Sequence, residues 1–363
     1  MERTVLKSPS AVAICSFLLV NALFALMVLI TEGELYDTNL IQNRDVFKLI
    51  QTQTDGCDVL FMGSSVIEVP LSLLDGVFEY VSSPKKAQEL LSTGCQQKLI
   101  VKNFSIEAAL ISDQFIAIRK LIRSQKAPRI AVLAVVPRDF SDARLPEPEK
   151  TDTFKSMVTL SDMEILPKFF NKFDQYAQFA WTRLIPLYRF RTVVTATIAS
   201  KLQLLLDRQI VNQNLKKEQP LPRNESCSPN KTKAGRQERF IASLKEYKSA
   251  YSLLNKSSVP VAQLQFLRRF FQQCKISDTA CIVLMLPLTK MNKDLLPTGF
   301  YEIYSKEVLR TCSEEGVPCL DLEHCSNFSD DDFYDGAHLN SEGAKKILKS
   351  LIPQVCKELA VKQ

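Results

Sequence analysis

Residues Asp58–Val66 read DVLFMGSSV. Asp58 to Met62 is a short apolar run suited to a sheet interior. Gly63 permits a sharp turn at the strand's end, and Ser64 and Ser65 follow at once. In an open α/β sheet, the C-terminal ends of strands are where ligands and reacting groups gather. Ser65 is therefore a candidate nucleophile, and Ser64 the less suited of the two.

A serine hydroxyl is a weak nucleophile until a base takes its proton, and histidine, oriented by a carboxylate, is the usual base. The chain has only two histidines, His324 and His338. His338 stands three residues after Asp335 in DFYDGAHLNSEG, just before a helical pattern that runs from Ser341 to Leu359 with Ser341 as its N-cap. The competing reading of Asp335 and His338 is an exposed loop that merely caps this helix.

Five apolar runs read as core strands: Asp58–Met62, Lys98–Asn103, Arg129–Val136, Ala280–Leu286 and Val317–Leu322. Ile106 to Ser124 has helical spacing between the second and third. Strands alternating with helices predict an α/β fold with a parallel sheet covered on both faces. A helical and loop insertion is expected at about residues 151–255. Within it, Leu184 to Leu206 reads as an amphipathic helix or helix pair, because Arg189, Arg191 and Lys201 interrupt its apolar character. Gln219 to Gly235 is rich in Pro, Ser, Asn and Lys and reads as an exposed loop. Residues 201–250 carry eleven Lys/Arg against five Asp/Glu, which accounts for the whole formal charge of +6. A solvated face explains that charge; a surface for anionic lipid or polymer is the sharper alternative.

The N-terminus predicts a membrane anchor over residues 1–35. Ala11 to Ile30 is an uncharged run of the length a helix needs to cross about 30 Å of hydrocarbon. Arg3 and Lys7 precede it and acids follow it, so residues 36–363 are expected outside the cytoplasm, in a periplasm or lumen. A cleaved signal peptide is the alternative. Of the ten cysteines, Cys15 falls in the predicted span and the other nine are an odd number. Buried thiols or one or two disulfides suit them better than a metal: no CxxC occurs, and His324 beside Cys325 is the only hint of a ligand set. No cofactor is expected. Nucleic-acid binding is excluded for want of zinc-finger spacings or an aromatic RNP-like strand. Asn103, Asn224, Asn230, Asn255 and Asn327 each open an Asn-x-Ser/Thr triplet.

A nucleophile after the first strand, with Asp-x-x-His near the end, resembles the layout of the SGNH (GDSL-like) hydrolases and acyltransferases. The resemblance runs from about Asp58 to Ser350, leaving out the insertion. It implies a flavodoxin-like sheet of about five strands and a triad of Ser65, His338 and Asp335. Ser64 stands where the family usually has aspartate, as in membrane-anchored members that assist acylation of surface polymers. The second family block, which usually offers a glycine amide to an oxyanion hole, corresponds to Asn103–Ala108, with Ala108 as the donor. The third usually carries an oxyanion-binding Asn; Val136–Phe140 has none, and Arg138 would donate there or bind an anionic substrate group, unless it pairs with Asp139 or Asp142. The segment Ile282–Thr289 and the Val-Pro-Arg-Asp-Phe block also look like a group of uncharacterised membrane-anchored bacterial SGNH-like proteins. Together these imply an anchored acyl-ester hydrolase or O-acyltransferase acting on a cell-envelope glycan or lipid, beside a membrane-bound O-acyltransferase. A non-catalytic envelope protein that keeps the fold to bind glycan or a partner is the alternative.

Overall fold

A computed structural model describes residues 9–30, 56–145, 151–158, 162, 173–185, 233–252, 254, 258–325 and 327–361. The chain forms two compact units, one of Gln42–Met157 with Ser228–Gln363 and the other of Met1–Ile41 with Val158–Cys227.

The first unit is built on five parallel strands: β1 (Val59–Gly63), β2 (Val101–Ser105), β3 (Ile130–Val135), β4 (Ala280–Met285) and β5 (Cys319–Asp321). Their order is β2-β1-β3-β4-β5, the flavodoxin-like doubly wound order, with its switch point between β1 and β3. Every residue of β1 and β3 is buried, and so is all of β4 except its first residue. Strands covered on both faces need continuous apolar runs, not alternation; hence VLFMG, IAVLAV and CIVLM. Leu60, Phe61 and Met62 are at most 2% exposed, each contributing about 1.5–3 kcal/mol through burial.

Two helix groups sandwich the sheet. In one, α2 (Ser65–Leu74), α3 (Lys85–Gly94) and α8 (Ser341–Val361) pack together. A Cys95–Cys356 disulfide joins the end of α3 to α8. In the other, α4 (Ile111–Arg123) packs on α6 (Val261–Ile276), which also meets α7 (Phe300–Glu315). Phe115 and Phe154 both meet the Phe266 ring, at 5.5 and 6.0 Å between centroids. Between α4 and α6 in sequence lies α5 (Lys233–Tyr251).

Several details depart from the sequence expectations. The helix expected from Ile106 begins only at Ile111, because Ala108 takes a left-handed φ of 57° and breaks the run. The cap of α8 is Asn340, not Ser341: its Oδ1 accepts from the Glu342 and Gly343 amides at 2.9 and 3.1 Å. Asn103 is fully buried, which withdraws its glycosylation triplet from solvent. Most of Gln219–Gly235 and of Leu184–Leu206 lies outside the described residues, as do Asn224, Asn230 and Asn255.

In the second unit, α1 (Pro9–Ile30) covers the expected anchor. Val12, Ile14, Phe17, Leu18, Leu19, Val20 and Leu23 are exposed on it. Its side chains are described only at Ser10 and over residues 12–23, and among the described residues no helix is long and apolar enough to cross a membrane.

Gly63 combines a positive φ with a close approach to a neighbouring strand. Its φ is +150°, and a Cβ there would meet the Ala134 carbonyl oxygen at 2.8 Å and Ile67 Cγ2 at 3.0 Å. Gly63→Ala is expected to destabilise the protein by about 2–4 kcal/mol, measured by denaturant unfolding. An unchanged midpoint would contradict the turn described.

Candidate active site

The end of β1 runs straight into a helix. Ser64 is extended, and Ser65 is the first residue of α2. The Ser65 hydroxyl therefore sits at the switch point, at the positive end of a helix. Its backbone amide, one of the first-turn donors that no helical carbonyl can reach, has no acceptor among the described residues.

From the other end of the chain, residues 333–339 form a tight loop. Phe333 and Leu339 bridge antiparallel, and the Tyr334 amide donates to the His338 carbonyl at 2.8 Å. Asp335 organises the loop from within: its Oδ1 accepts from the Ala337 and His338 amides at 2.8 and 2.9 Å. The His338 ring fits the remaining carboxylate positions, with Nδ1 3.0 Å from Oδ1 and 2.9 Å from Oδ2. Its Nε2 lies 2.9 Å from Ser65 Oγ. The structure thus joins Ser65, His338 and Asp335 in one hydrogen-bonded chain. Since a carboxylate only accepts, Nδ1 carries the proton and Nε2 presents a lone pair to the hydroxyl. Burial pushes the Asp335 carboxyl up, but the hydrogen bond from His338 and those from the two amides outweigh it, holding it below its ordinary range. Asp335 therefore stays ionised at neutral pH.

This loop is clamped by segments to which the sequence assigned no part in the site. The Gly336 carbonyl accepts from Thr289 Oγ1 at 2.7 Å and Asn292 Nδ2 at 3.2 Å. The Gly336 amide donates to Ser243 Oγ on α5 at 2.9 Å. The approach is so close that a Cβ on Gly336 would meet Ser243 Oγ and Leu244 Cγ at 2.8 Å. One turn on, the buried Tyr247 ring stands edge-on to the imidazole, 6.5 Å between centroids. Arg239 lies 4.6 Å over the Tyr334 ring. The spacing of Ser243 and Tyr247 by four marks one helical face, but nothing in their neighbourhood named its target.

Of the residues expected to bind substrate or an oxyanion, three have their side chains committed inside the protein. Ser64 Oγ donates to Asp139 Oδ1 at 2.8 Å, tying the end of β1 to the segment after β3. Asn103 donates to the Val81 carbonyl and accepts from the Ser105 amide. Arg138 is buried, pairs with Asp142 at 2.8 Å and Asp139 at 3.8 Å, and donates to the Ala108 carbonyl at 3.3 Å. Its guanidinium therefore fixes the Ala108 backbone and does not offer a free fork to a substrate. Burial pushes Asp139 up to about 6 despite Arg138 and Ser64 beside it. Ala108 itself is half-buried, and its amide has no acceptor among the described residues.

Glu68, which sequence reasoning passed over, lies one turn after Ser65 on α2. Burial, then the Glu107 charge, raise its carboxyl to about 7, with His338 pulling it down. Among the described residues no group of His, Cys, Asp and Glu could hold a metal ion.

Solved structures with a likeness to this chain include an acetylxylan esterase from Geobacillus stearothermophilus, as a catalytic mutant. It is 10% identical, with 84% of this chain and 96% of that one covered at a TM-score of 0.39. Another is an α/β hydrolase from the metagenome of Lake Arreo, Spain, 11% identical, with 83% and 95% covered at a TM-score of 0.35. Scores this low carry no argument about activity. No curated protein matches the chain. The DUF1574 family, described as protein of unknown function, matches over residues 89–355; Asp335 and His338 fall within that stretch and Ser65 precedes it. With nearly three quarters of its length matched, the chain belongs to the DUF1574 family.

Proposed function

We propose that the protein is an acyl-ester enzyme of SGNH type, held at a membrane by α1, that hydrolyses or transfers acyl groups on a cell-envelope glycan or lipid. The observation that carries the reading is the 2.9 Å approach of His338 Nε2 to Ser65 Oγ, with Nδ1 on Asp335.

In this reading Ser65 Oγ attacks the acyl carbonyl carbon while His338 Nε2 takes its proton. Asp335 keeps the imidazole in the Nδ1–H tautomer and stabilises the imidazolium. The tetrahedral oxyanion is held by the amides of Ser65 and Ala108, both free of described acceptors. His338 returns the proton to the leaving oxygen as the C–O bond breaks, leaving the acyl group on Ser65. Water or a sugar hydroxyl, deprotonated by His338, then takes the acyl group. Transfer to a sugar suits an anchored enzyme working beside a membrane-bound O-acyltransferase. The anchor, and with it a site in a periplasm or lumen, is supported by the uncharged sequence of α1 and the basic residues before it. A glycan- or partner-binding protein without catalysis is the second reading. It is favoured by alanine at position 108 and by Arg138 being spent on Asp142 and the Ala108 carbonyl.

A fluorophosphonate probe that does not cross membranes, applied to intact spheroplasts carrying the full chain, should label Ser65. Ser65→Ala and His338→Ala should abolish labelling, and with an activated aryl acetate they should lower kcat/KM by about 10⁴-fold. Labelling only with a membrane-permeant probe would overturn the placement. No labelling of folded protein with either would favour the binding protein.

Glu68 gives the reading a pH signature. Below about 7 its carboxyl is neutral; above, its charge stabilises the imidazolium that forms when Ser65 is deprotonated. Glu68→Gln should therefore lower kcat/KM by about three- to tenfold at pH values about one unit above 7 and leave it unchanged one unit below. Equal loss at both pH values would show that the Glu68 charge does not act on His338.

A further inference from the structure

Two segments of the chain repeat one spacing: Cys274–Cys281, CKISDTAC, and Cys312–Cys319, CSEEGVPC. Both occupy the same structural unit. Cys274 lies in the last turn of α6, and Cys281 is the second residue of β4. Cys312 lies in the last turn of α7, and Cys319 opens β5. Each turn is closed in the same way: the Thr279 amide donates to the Cys274 carbonyl and the Val317 amide to the Cys312 carbonyl, both at 2.8 Å. Each also turns through a left-handed residue, Asp278 in one and Gly316 in the other. The chain thus doubles back between the helix-end cysteine and the strand-start cysteine of its own unit.

The two units are neighbours. β4 and β5 pair in parallel with Val283 opposite Cys319, so Cys281, two residues before Val283, projects from the same face as Cys319. Helices α6 and α7, which carry the other two thiols, pack on each other. In the structure all four are free thiols; Cys281 is acted on most by Cys274 and then by Cys312 and Cys319, and Cys312 by Cys319. Elsewhere in the same unit Cys95 and Cys356 are already joined, and stable disulfides belong to oxidising compartments.

We infer that Cys274–Cys281 and Cys312–Cys319 are two further disulfides of the mature protein, each stapling a helix to the strand that follows it. In each, two thiols lose two protons and two electrons to a disulfide-bearing oxidant, which leaves as a dithiol, and one S–S bond forms. The pairs close early. Cysteines seven positions apart meet at small entropic cost while the chain is still open. Once folded, the Cys281 and Cys312 thiols are buried and their deprotonation is disfavoured, by burial and then the neighbouring Cys274 at Cys281, and by the neighbouring Cys319 and then burial at Cys312. Unpaired thiols would then be slow to attack any disulfide. Local pairing also prevents Cys274, Cys281, Cys312 and Cys319 from competing for Cys95 and Cys356, whose partners are 261 residues apart.

The test is disulfide mapping of the full chain after export to an oxidising compartment. The denatured, unreduced protein is alkylated, cleaved at lysine and glutamate, and read by mass spectrometry. The Cys95–Cys356 bond serves as internal control. The expected result is unalkylated, linked Cys274–Cys281 and Cys312–Cys319 in molecules that retain it. In Cys274→Ser, Cys281 should become alkylated while Cys312–Cys319 stays linked. Alkylation of all four cysteines in molecules with Cys95–Cys356 intact would overturn the inference. So would cross-pairs, Cys281 with Cys319 or Cys274 with Cys312.

Discussion

The site depends on one meeting: the hydroxyl at the end of β1 and the imidazole from the loop before α8, separated in sequence by 273 residues and in space by 2.9 Å. Neither side reaches the other by local structure alone. Ser65 is placed because Gly63 turns where a Cβ would collide with the Ala134 carbonyl, so that β1 can pass at once into α2. His338 is placed because Asp335 gathers two amides and both ring contacts onto one carboxylate. The parallel sheet supplies the rest, since it opens all its C-terminal strand ends on one edge.

Holding that meeting is distributed over elements that contribute nothing to the chemistry. Gly336, between Asp335 and His338, is gripped by Thr289 and Asn292 from the segment after β4 and by Ser243 from α5. Tyr247 closes over the ring. A second polar network lies behind the nucleophile, where Ser64, Asp139, Arg138 and Asp142 link the ends of β1 and β3 and pin the Ala108 carbonyl. A carboxylate as buried as Asp139 is tolerated because Ser64, Arg138 and the Val136 amide all meet it. Such shells keep reacting groups within the fraction of an ångström that the chemistry needs.

Much of the fold was legible because its signals are local. Short, β-branched-rich runs such as IAVLAV and CIVLM read as strands buried on both faces, and they lie within a few residues of where they were expected. The approach of Asp335 and His338 was legible from their spacing and from the scarcity of histidine. Apart from the pairing of Ser65 with His338, what escaped depends on local turns that leave no mark in the pattern or on partners distant in sequence. Pro70 within α2 hid the helix that carries Ser65. Ala108 reads as an ordinary helix residue, and only the chain's need to turn before Ile111 sets it at positive φ. The pairing of Arg138 with Asp142, four residues on, was among the alternatives its sequence left open, but its reach to the Ala108 carbonyl, 30 residues back, was not. The role of α5 was hidden for the same reason: Ser243 and Tyr247 matter through Gly336 and His338, about 90 residues onward.

With only two histidines in the chain, the central hydrogen-bonded chain can be watched directly by NMR of protein carrying ¹⁵N-labelled histidine. His324, exposed beside Asp321, is the internal reference and is removed by His324→Gln. At neutral pH the account predicts that His338 is the Nδ1–H tautomer, with a slowly exchanging proton on that nitrogen that disappears in Asp335→Asn, and an Nε2 resonance that shifts in Ser65→Ala. A His338 ring in the Nε2–H tautomer, insensitive to both substitutions, would contradict it.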